Sequence, residues 1–277
     1  MVRLEFSVRF WGVRGSIACP GAETVRYGGN TSCVEMRCGD RLLVFDGGTG
    51  LRPLGNKLAG EERPLSFDLF FSHTHLDHID GLPFFAPLHV AGNRVRIWAG
   101  HLAPPHTIKA VLDKMMSAPL FPVPIDIFKA DIEFNDFAAG RSLTPHRGIK
   151  LKTAPLNHPN SATGYRVEFA GKSVAYITDN EYQPGENDAN VLKLMDHADV
   201  AIYDSMYDRR EYPDHVGWGH SAWQDGLRLA AEAGVKTFVI FHHDPSHDDA
   251  FMDGIAAEAE KLRPGTLVAR EGMVLRP

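Results

Sequence analysis

The segment Ser72-His-Thr-His-Leu-Asp-His78 gathers three imidazoles and one carboxylate within six residues. Histidines at i and i+2, followed by an adjacent Asp and His, crowd four metal-competent groups into one tight turn. Imidazole and carboxylate donors suit zinc and its first-row neighbours, manganese and iron included. Four such groups can serve two adjacent divalent ions, His73 and His75 on one, Asp77 and His78 on the other. Ligand-type residues recur downstream: His158 in Leu156-Asn-His-Pro159, Asp179 in Tyr176-Ile-Thr-Asp-Asn180, and His242 in Phe241-His-His-Asp244. A carboxylate at Asp179 can bridge two ions, each completed by one further imidazole. A pair of ions of this kind activates water against either a carbonyl or a phosphoryl centre, so the donor set alone leaves the substrate open.

The elements that must position these groups read mostly as strands. Met1 to Phe10 alternates like a strand, and Ser32 to Cys38 does so too; Gly39-Asp40 then turns the chain into the apolar run Arg41–Phe45. Phe67–Phe71 is a strand that runs straight into the histidine cluster. Gly164–Phe169 and Ser173–Thr178 flank a Gly171-Lys172 turn and form a second hairpin. Helices come late. Ser221-Ala-Trp-Gln224 reads as a capping box, and Leu227, Ala230 and Ala231 form an apolar stripe ending at Gly234. Val235–Phe241 is a strand, and Asp248–Leu262 has helical spacing. Strands early and in the middle, with helices interleaved late, fit two sheets covered by helices. The stretch Met115–Pro124 is prolines and large apolar groups, and its Ser117–Ile125 part is expected to form a loop that walls a pocket.

With 277 residues and no repeat, low-complexity tract or Gly/Ser linker, one domain over residues 1–277 is expected. The formal net charge is −6 and the Lys and Arg residues are scattered, which argues against duplex nucleic acid as a partner. A small anionic substrate remains compatible, because bound ions supply positive charge locally. The N-terminus lacks the apolar core of a signal peptide, and no run is long and apolar enough to span a bilayer. Cys19, Cys33 and Cys38 cannot all pair and lack C-x-x-C spacing, so reduced thiols and a cytoplasmic location are expected.

The cluster His73 to His78 also stands as the H-x-H-x-D-H signature of the metallo-β-lactamase-fold hydrolase superfamily, which the chain resembles. Within it the resemblance is to the branch holding ribonuclease Z, the cyclic-phosphate phosphodiesterase of phosphonate metabolism, and cyclic-nucleotide phosphodiesterases. Phe10-Trp-Gly-Val-Arg-Gly-Ser16, Tyr27-Gly-Gly-Asn-Thr-Ser32 and Phe45-Asp-Gly-Gly-Thr-Gly50 are similar to the opening of that last group. Gly219-His-Ser221 and Phe241-His-His-Asp-Pro245 are similar to its closing motifs. The resemblance implies an α/β fold, a four-layer αββα sandwich with the site at one edge. It implies two divalent ions, zinc first: His73, His75 and His158 on one, Asp77, His78 and His242 on the other, Asp179 bridging, and a bridging hydroxide as nucleophile. It further implies catalytic roles for Asp77, which orients the hydroxide, and for His220 as general acid or phosphoryl-oxygen ligand, supported by Asp204. His220 precedes the capping box, so a helix N-terminus is expected to favour an anion beside it.

Some assignments stay open on sequence alone. Asp46 either holds a ligand imidazole or simply turns the chain before Gly47-Gly48. His243 and His247 compete with His242, which the motif favours. Arg14, Asn30 and Arg166 are available to the substrate but have ordinary turn and surface roles to fill. His89, His101, His106, His146, His197 and His215 lack a recurring ligand context. The expected activity is hydrolysis of a small or cyclic phosphodiester, with a homodimer as the expected assembly. Carbon-ester, lactone or β-lactam hydrolysis is the first alternative, and Gly219-His-Ser221 weighs against it. Diiron oxygen chemistry on this fold has Glu where His75 stands. Ribonuclease Z-like processing is less favoured, because only about twenty residues, one hairpin, separate His158 from Asp179, where the bacterial-type enzymes carry a basic arm. A non-catalytic sensor on a decayed fold would have lost a ligand, and none of the seven is missing.

Overall fold

The computed structural model describes residues 5–61, 64–102, 104–183 and 188–277. The first half runs β1 (Phe6–Gly12), β2 (Cys33–Cys38), β3 (Arg41–Phe45), α1 (Leu51–Leu58), β4 (Ser66–Phe71), α2 (Leu76–Ile79), β5 (Arg94–Ala99), α3 (Ile108–Met115) and β6 (Asp131–Asp136). The second runs β7 (Ser142–His146), β8 (Ile149–Leu156), β9 (Ala162–Phe169), β10 (Lys172–Ile177), α4 (Ala189–Met195), β11 (Val200–Asp204), α5 (Trp223–Glu232), β12 (Thr237–Phe241), α6 (Asp249–Leu262), β13 (Leu267–Val268) and β14 (Val274–Leu275). The expected first strand is thus β1; its Met1–Leu4 part lies outside the described residues.

Two mixed sheets result, ordered β14-β1-β2-β3-β4-β5-β6 and β13-β12-β11-β10-β9-β8-β7. Each joins an antiparallel meander to a parallel half: β3 to β6 in the first, β10 to β13 in the second. Parallel neighbours need long crossovers, and helices supply most of them. Helices α1 and α3 cover the outer face of the first sheet around Leu54, Leu58, Leu69 and Leu112. Helices α4, α5 and α6 cover the second around Leu194, Leu229 and Met252. Between the sheets, Phe10, Phe45, Phe70, Tyr165, Tyr176 and Phe241 form the central core. This is the expected αββα sandwich.

Burial on both faces explains two departures from simple alternation. Positions in β3, β4, β10, β11 and β12 are buried almost throughout, so their sequences are mostly apolar runs, broken in β4 by buried Asp68, which pairs with Arg96 and His146. Strand β2 is likewise buried at five of its six positions, although its sequence alternates. The Gly171 turn between β9 and β10 forms as expected, with φ 77°. Asp248 caps α6, its side chain accepting the N–H of Phe251.

The capping box at Ser221 does not form. Helix α5 begins at Trp223 with Ala222 as its cap residue and no side-chain cap. The Ser221 hydroxyl instead donates to the Asn180 carbonyl (2.5 Å) and accepts the Tyr182 N–H (3.0 Å). His220 therefore lies further from the helix end than its sequence suggests. On α5, Leu229 rather than Ala231 joins Leu227 and Ala230 in the buried face. Met115 is the last residue of α3, and the irregular stretch begins after it. That stretch helps line a cleft of about 430 Å³ in which none of the seven His and Asp residues expected as ligands takes part, while Phe121 packs on Phe84 (6.0 Å). Among the described residues no helix is long and apolar enough to cross a membrane.

Candidate metal centre

The C-terminal ends of the parallel strands meet at one edge of the sandwich, the usual place for a site in such sheets. β4 delivers His73, then α2 carries Asp77 and His78. The register Ile177↔Tyr203 and Asp204↔Phe241 sets Asp179, Asp204 and His242 on neighbouring strand ends. His158 comes from the β8–β9 turn. Asp46, Asp179 and His242 each adopt positive φ (60°, 55° and 64°) just beyond a strand. That conformation is uncommon for non-glycine residues and marks positions where the surrounding structure over-determines the backbone.

All seven residues named from the sequence come together, in two groups. His73, His75 and His158 form the first; Asp77, His78, Asp179 and His242 form the second. His75 Nδ1 lies 3.0 Å from His158 Nε2, and His78 Nε2 lies 3.3 Å from His242 Nε2. Asp179 faces both groups: Oδ1 is 3.6 Å from His73 Nε2 and 3.7 Å from His158 Nε2, while Oδ2 is 3.2 Å from His78 Nε2 and 3.3 Å from His242 Nε2. Asp77 Oδ2 stands 3.2 Å and 3.4 Å from the same two imidazoles.

These contacts suit divalent cations. Facing imidazole lone pairs repel unless a proton or a metal ion lies between them, and buried His73 Nε2 has no hydrogen-bond partner. Burial would raise the carboxyls of Asp77 and Asp179, but the imidazoles around them hold both well below the usual carboxylate range. Burial and the charge of His78 push His73 well below the ordinary imidazole value. For His78, Asp179, Asp77 and Asp46 outweigh burial and hold it well above that value. The cluster thus calls for positive charge amid carboxylates, with neutral imidazoles beside it.

The beta-lactamase superfamily domain matches residues 41–243, which contain every one of these groups. The chain belongs to that superfamily. It is 21% identical over 300 residues to ribonuclease Z of Treponema denticola, covering 93% of this chain and 95% of that one. The metallo-beta-lactamase fold protein YhfI from Bacillus subtilis superposes with a TM-score of 0.73 at 20% identity, over 99% of this chain and 100% of that one. A diphosphatase of the PhnP family superposes with a TM-score of 0.70 at 18% identity, over 98% and 97%. These relatives agree with the ribonuclease Z-like branch that the motifs resemble. This superfamily member is a metal-dependent hydrolase; its fold implies divalent ions, and its His/Asp cluster fits them.

Neighbouring residues hold the cluster in place. Asp46 is fully buried; its Oδ1 accepts the Ser72 N–H (2.7 Å), and its Oδ2 accepts from the hydroxyls of Ser72 (2.8 Å) and Tyr176 (2.7 Å) and lies 2.9 Å from His78 Nδ1. It therefore orients a cluster imidazole, the role sequence left even with a simple turn. His158 Nδ1 is 2.9 Å from the Gly219 carbonyl, which turns Nε2 toward the cluster. A Cβ on Gly219 (φ 89°) would lie 2.2 Å from that ring, so the glycine of Gly219-His-Ser221 permits the approach. Glu181, which sequence reasoning missed, accepts the N–H of Gly217 (2.8 Å) and of Gly219 (2.9 Å). Nothing local in Asn180-Glu-Tyr182 signals that role.

His220 Nδ1 is 2.8 Å from Asp204 Oδ2, and its ring stands 5.3 Å from that of His158 and 5.1 Å from that of His242. Burial alone would lower its pKa, but Asp204, with Asp179 and Asp77 behind it, pushes it up to about 9. Asp204 anchors the ring through Nδ1.

The alternative residues go elsewhere. His243 turns into the core, its Nε2 on the Ala269 carbonyl (2.8 Å), and His247 Nε2 meets Glu211 (2.8 Å). Buried Arg14 donates to the carbonyls of Gly28, Asp244 and His247. Asn30 binds Glu271, and Arg166 binds the carbonyls of Leu194 and Asp196. His101, given no role from sequence, sits beside the first group, its Nε2 3.1 Å from Thr74 Oγ1.

Proposed function

We propose that the chain is a dinuclear phosphodiesterase that hydrolyses a small or cyclic phosphodiester, cyclic nucleotides first among them. His73, His75 and His158 would hold one divalent ion and Asp77, His78 and His242 the other, with Asp179 facing both groups. Zinc is the first expectation, ahead of manganese and iron. The ions supply Lewis acidity, lowering the pKa of water and neutralising phosphoryl charge. The observation that carries the reading is the buried His220–Asp204 pair beside both groups. With Nδ1 held on Asp204, its imidazole leaves Nε2 for a phosphoryl oxygen and, in its protonated form, is the proton source for the departing alkoxide. Asp204 holds the ring in one orientation. Asp77, one oxygen of which accepts the Ser16 N–H (2.8 Å), orients the attacking water.

A second reading, an RNA-processing nuclease, is supported by the nearly full-length match to ribonuclease Z. The acidic net charge weighs against it, as does the short segment between His158 and Asp179, which is taken up by the β9–β10 hairpin. The deciding experiment measures bound metal and turnover of bis-aryl phosphodiesters, 2′,3′- and 3′,5′-cyclic nucleotides, a tRNA precursor, an aryl ester and a β-lactam. About two ions per chain are expected, with phosphodiester turnover abolished in Asp77→Ala and strongly reduced in His220→Ala. Ester or lactam cleavage indifferent to His220, with no phosphodiester turnover, would overturn the proposal. Light scattering on the same sample tests the homodimer.

A further inference from the structure

A ladder of aromatic rings leads from His220 to the surface. Tyr207 faces His220 edge-on at 6.2 Å, His215 stacks on Tyr207 at 4.3 Å with 18° between planes, and Trp218 meets His215 at 4.9 Å and 88°. Tyr207 is buried, whereas Trp218 is 61% exposed. Its edge-to-face contact occupies at most one side of its ring. A lone exposed hydrophobic residue is ordinary; its mounting here is not. Gly217 and Gly219 flank Trp218, both with left-handed φ (88° and 89°), and the Glu181 carboxylate ties down both of their N–H groups. The backbone N–H of Trp218 donates to the His215 carbonyl (3.1 Å), and His215 Nδ1 is fixed on the Glu211 carbonyl (2.8 Å). These bonds hold the main chain on both sides of Trp218, so covering its ring orders little further backbone.

Trp218 is two residues from His220, which limits their Cα separation to about 7 Å. We infer that Trp218 is a stacking platform for a flat aromatic substituent of the substrate, a nucleobase above all, while the phosphoryl group lies at the cluster. Base–aromatic stacking is tolerant of base identity, so the platform selects for an aromatic group rather than for one particular base. This inference rests on the phosphodiester reading for the position of the phosphate.

The test compares 2′,3′-cyclic AMP with glycerol 1,2-cyclic phosphate, which has the same five-membered phosphodiester and no ring to stack. Trp218→Ala is expected to lower the ratio of kcat/KM for the nucleotide to that for the glycerol compound by about five- to a hundredfold, mainly through KM. Trp218→Phe is expected to keep most of the ratio. An unchanged ratio, with both substrates slowed alike, would overturn the platform. A binding readout runs beside it: AMP is expected to quench tryptophan fluorescence saturably in the wild type and not in Trp218→Phe, which keeps the other three of the four tryptophans. Quenching that persists in Trp218→Phe would also overturn it. Should neither cyclic phosphate be hydrolysed, the functional reading fails, and the AMP titration still decides the platform.

Discussion

Asp46→Asn probes how far the cluster depends on a residue that contacts no substrate. Asp46 takes three hydrogen bonds, from the Ser72 N–H, the Ser72 hydroxyl and the Tyr176 hydroxyl, and lies 2.9 Å from His78 Nδ1. An amide keeps one acceptor oxygen and adds two donors. In either orientation at least one of these buried groups loses its acceptor, at a cost of about 1–3 kcal/mol. The backbone is not the cause, because Asn tolerates the φ of 60° as well as Asp does. With its charge-assisted partner gone, His78 is held less firmly, and affinity for the ion at Asp77, His78, Asp179 and His242 is expected to fall about 10–100-fold. The ion at His73, His75 and His158 should be affected much less. Chelator competition that resolves two affinities, together with urea melts in excess chelator, separates the folding cost from the binding cost. Two affinities that fall equally, or a second-group affinity within twofold of wild type, would refute the reasoning.

Gly219→Ala forces a side chain against His158 at a left-handed φ, costing about 1–3 kcal/mol; bound metal measured by elemental analysis should drop from two ions toward one, lost from the His158 group. Removing the ions should lower the melting temperature. At an ion concentration about a thousandfold above Kd, the lost binding is worth about 4 kcal/mol for each ion, about 8 kcal/mol for the two, or about 14 °C for a chain of this length, readable by calorimetry with and without chelator. His243 is held neutral by burial, its pKa lowered to about 3. Between that value and the unfolded value of about 6.5 the unfolded chain binds the extra proton, so stability falls as pH drops below about 6.5, by up to about 1.4 kcal/mol per unit from this residue. His243→Asn should lessen the slope of unfolding free energy against pH between 5 and 6.5 by about one proton, and an unchanged slope would show that His243 is not the titrating group.

Local pattern made much of this molecule legible. The strands that enter the core are apolar runs bounded by turn residues, and β3, β4, β10 and β12 were recognised from them. The motif His73 to His78 is compact enough to be read without a fold. Ligand-type residues where strands meet loops mark His158, Asp179 and His242, motif similarity adds His220 and Asp204, and the strand ends explain why such distant positions converge. Where a local rule met a tertiary competitor, the local rule lost. Ser221 has the spacing of a helix cap, yet its hydroxyl satisfies the backbone of Asn180 and Tyr182 instead.

The sequence by itself determined which segments become buried strands and which residue types are available to bind cations, because both depend on composition and on periodicity over a few residues. Only the tertiary structure decided how those residues face one another. The side-by-side pairing of β3 with β4 sets Asp46 against His78. Left-handed φ at His242 accompanies its turn into the cluster, while His243, the next residue, points into the core. The Glu181 carboxylate, about 36 residues away along the chain, ties the loop that carries Trp218. Each of these contacts joins groups far apart in sequence, and a pattern confined to neighbouring residues carries no record of them.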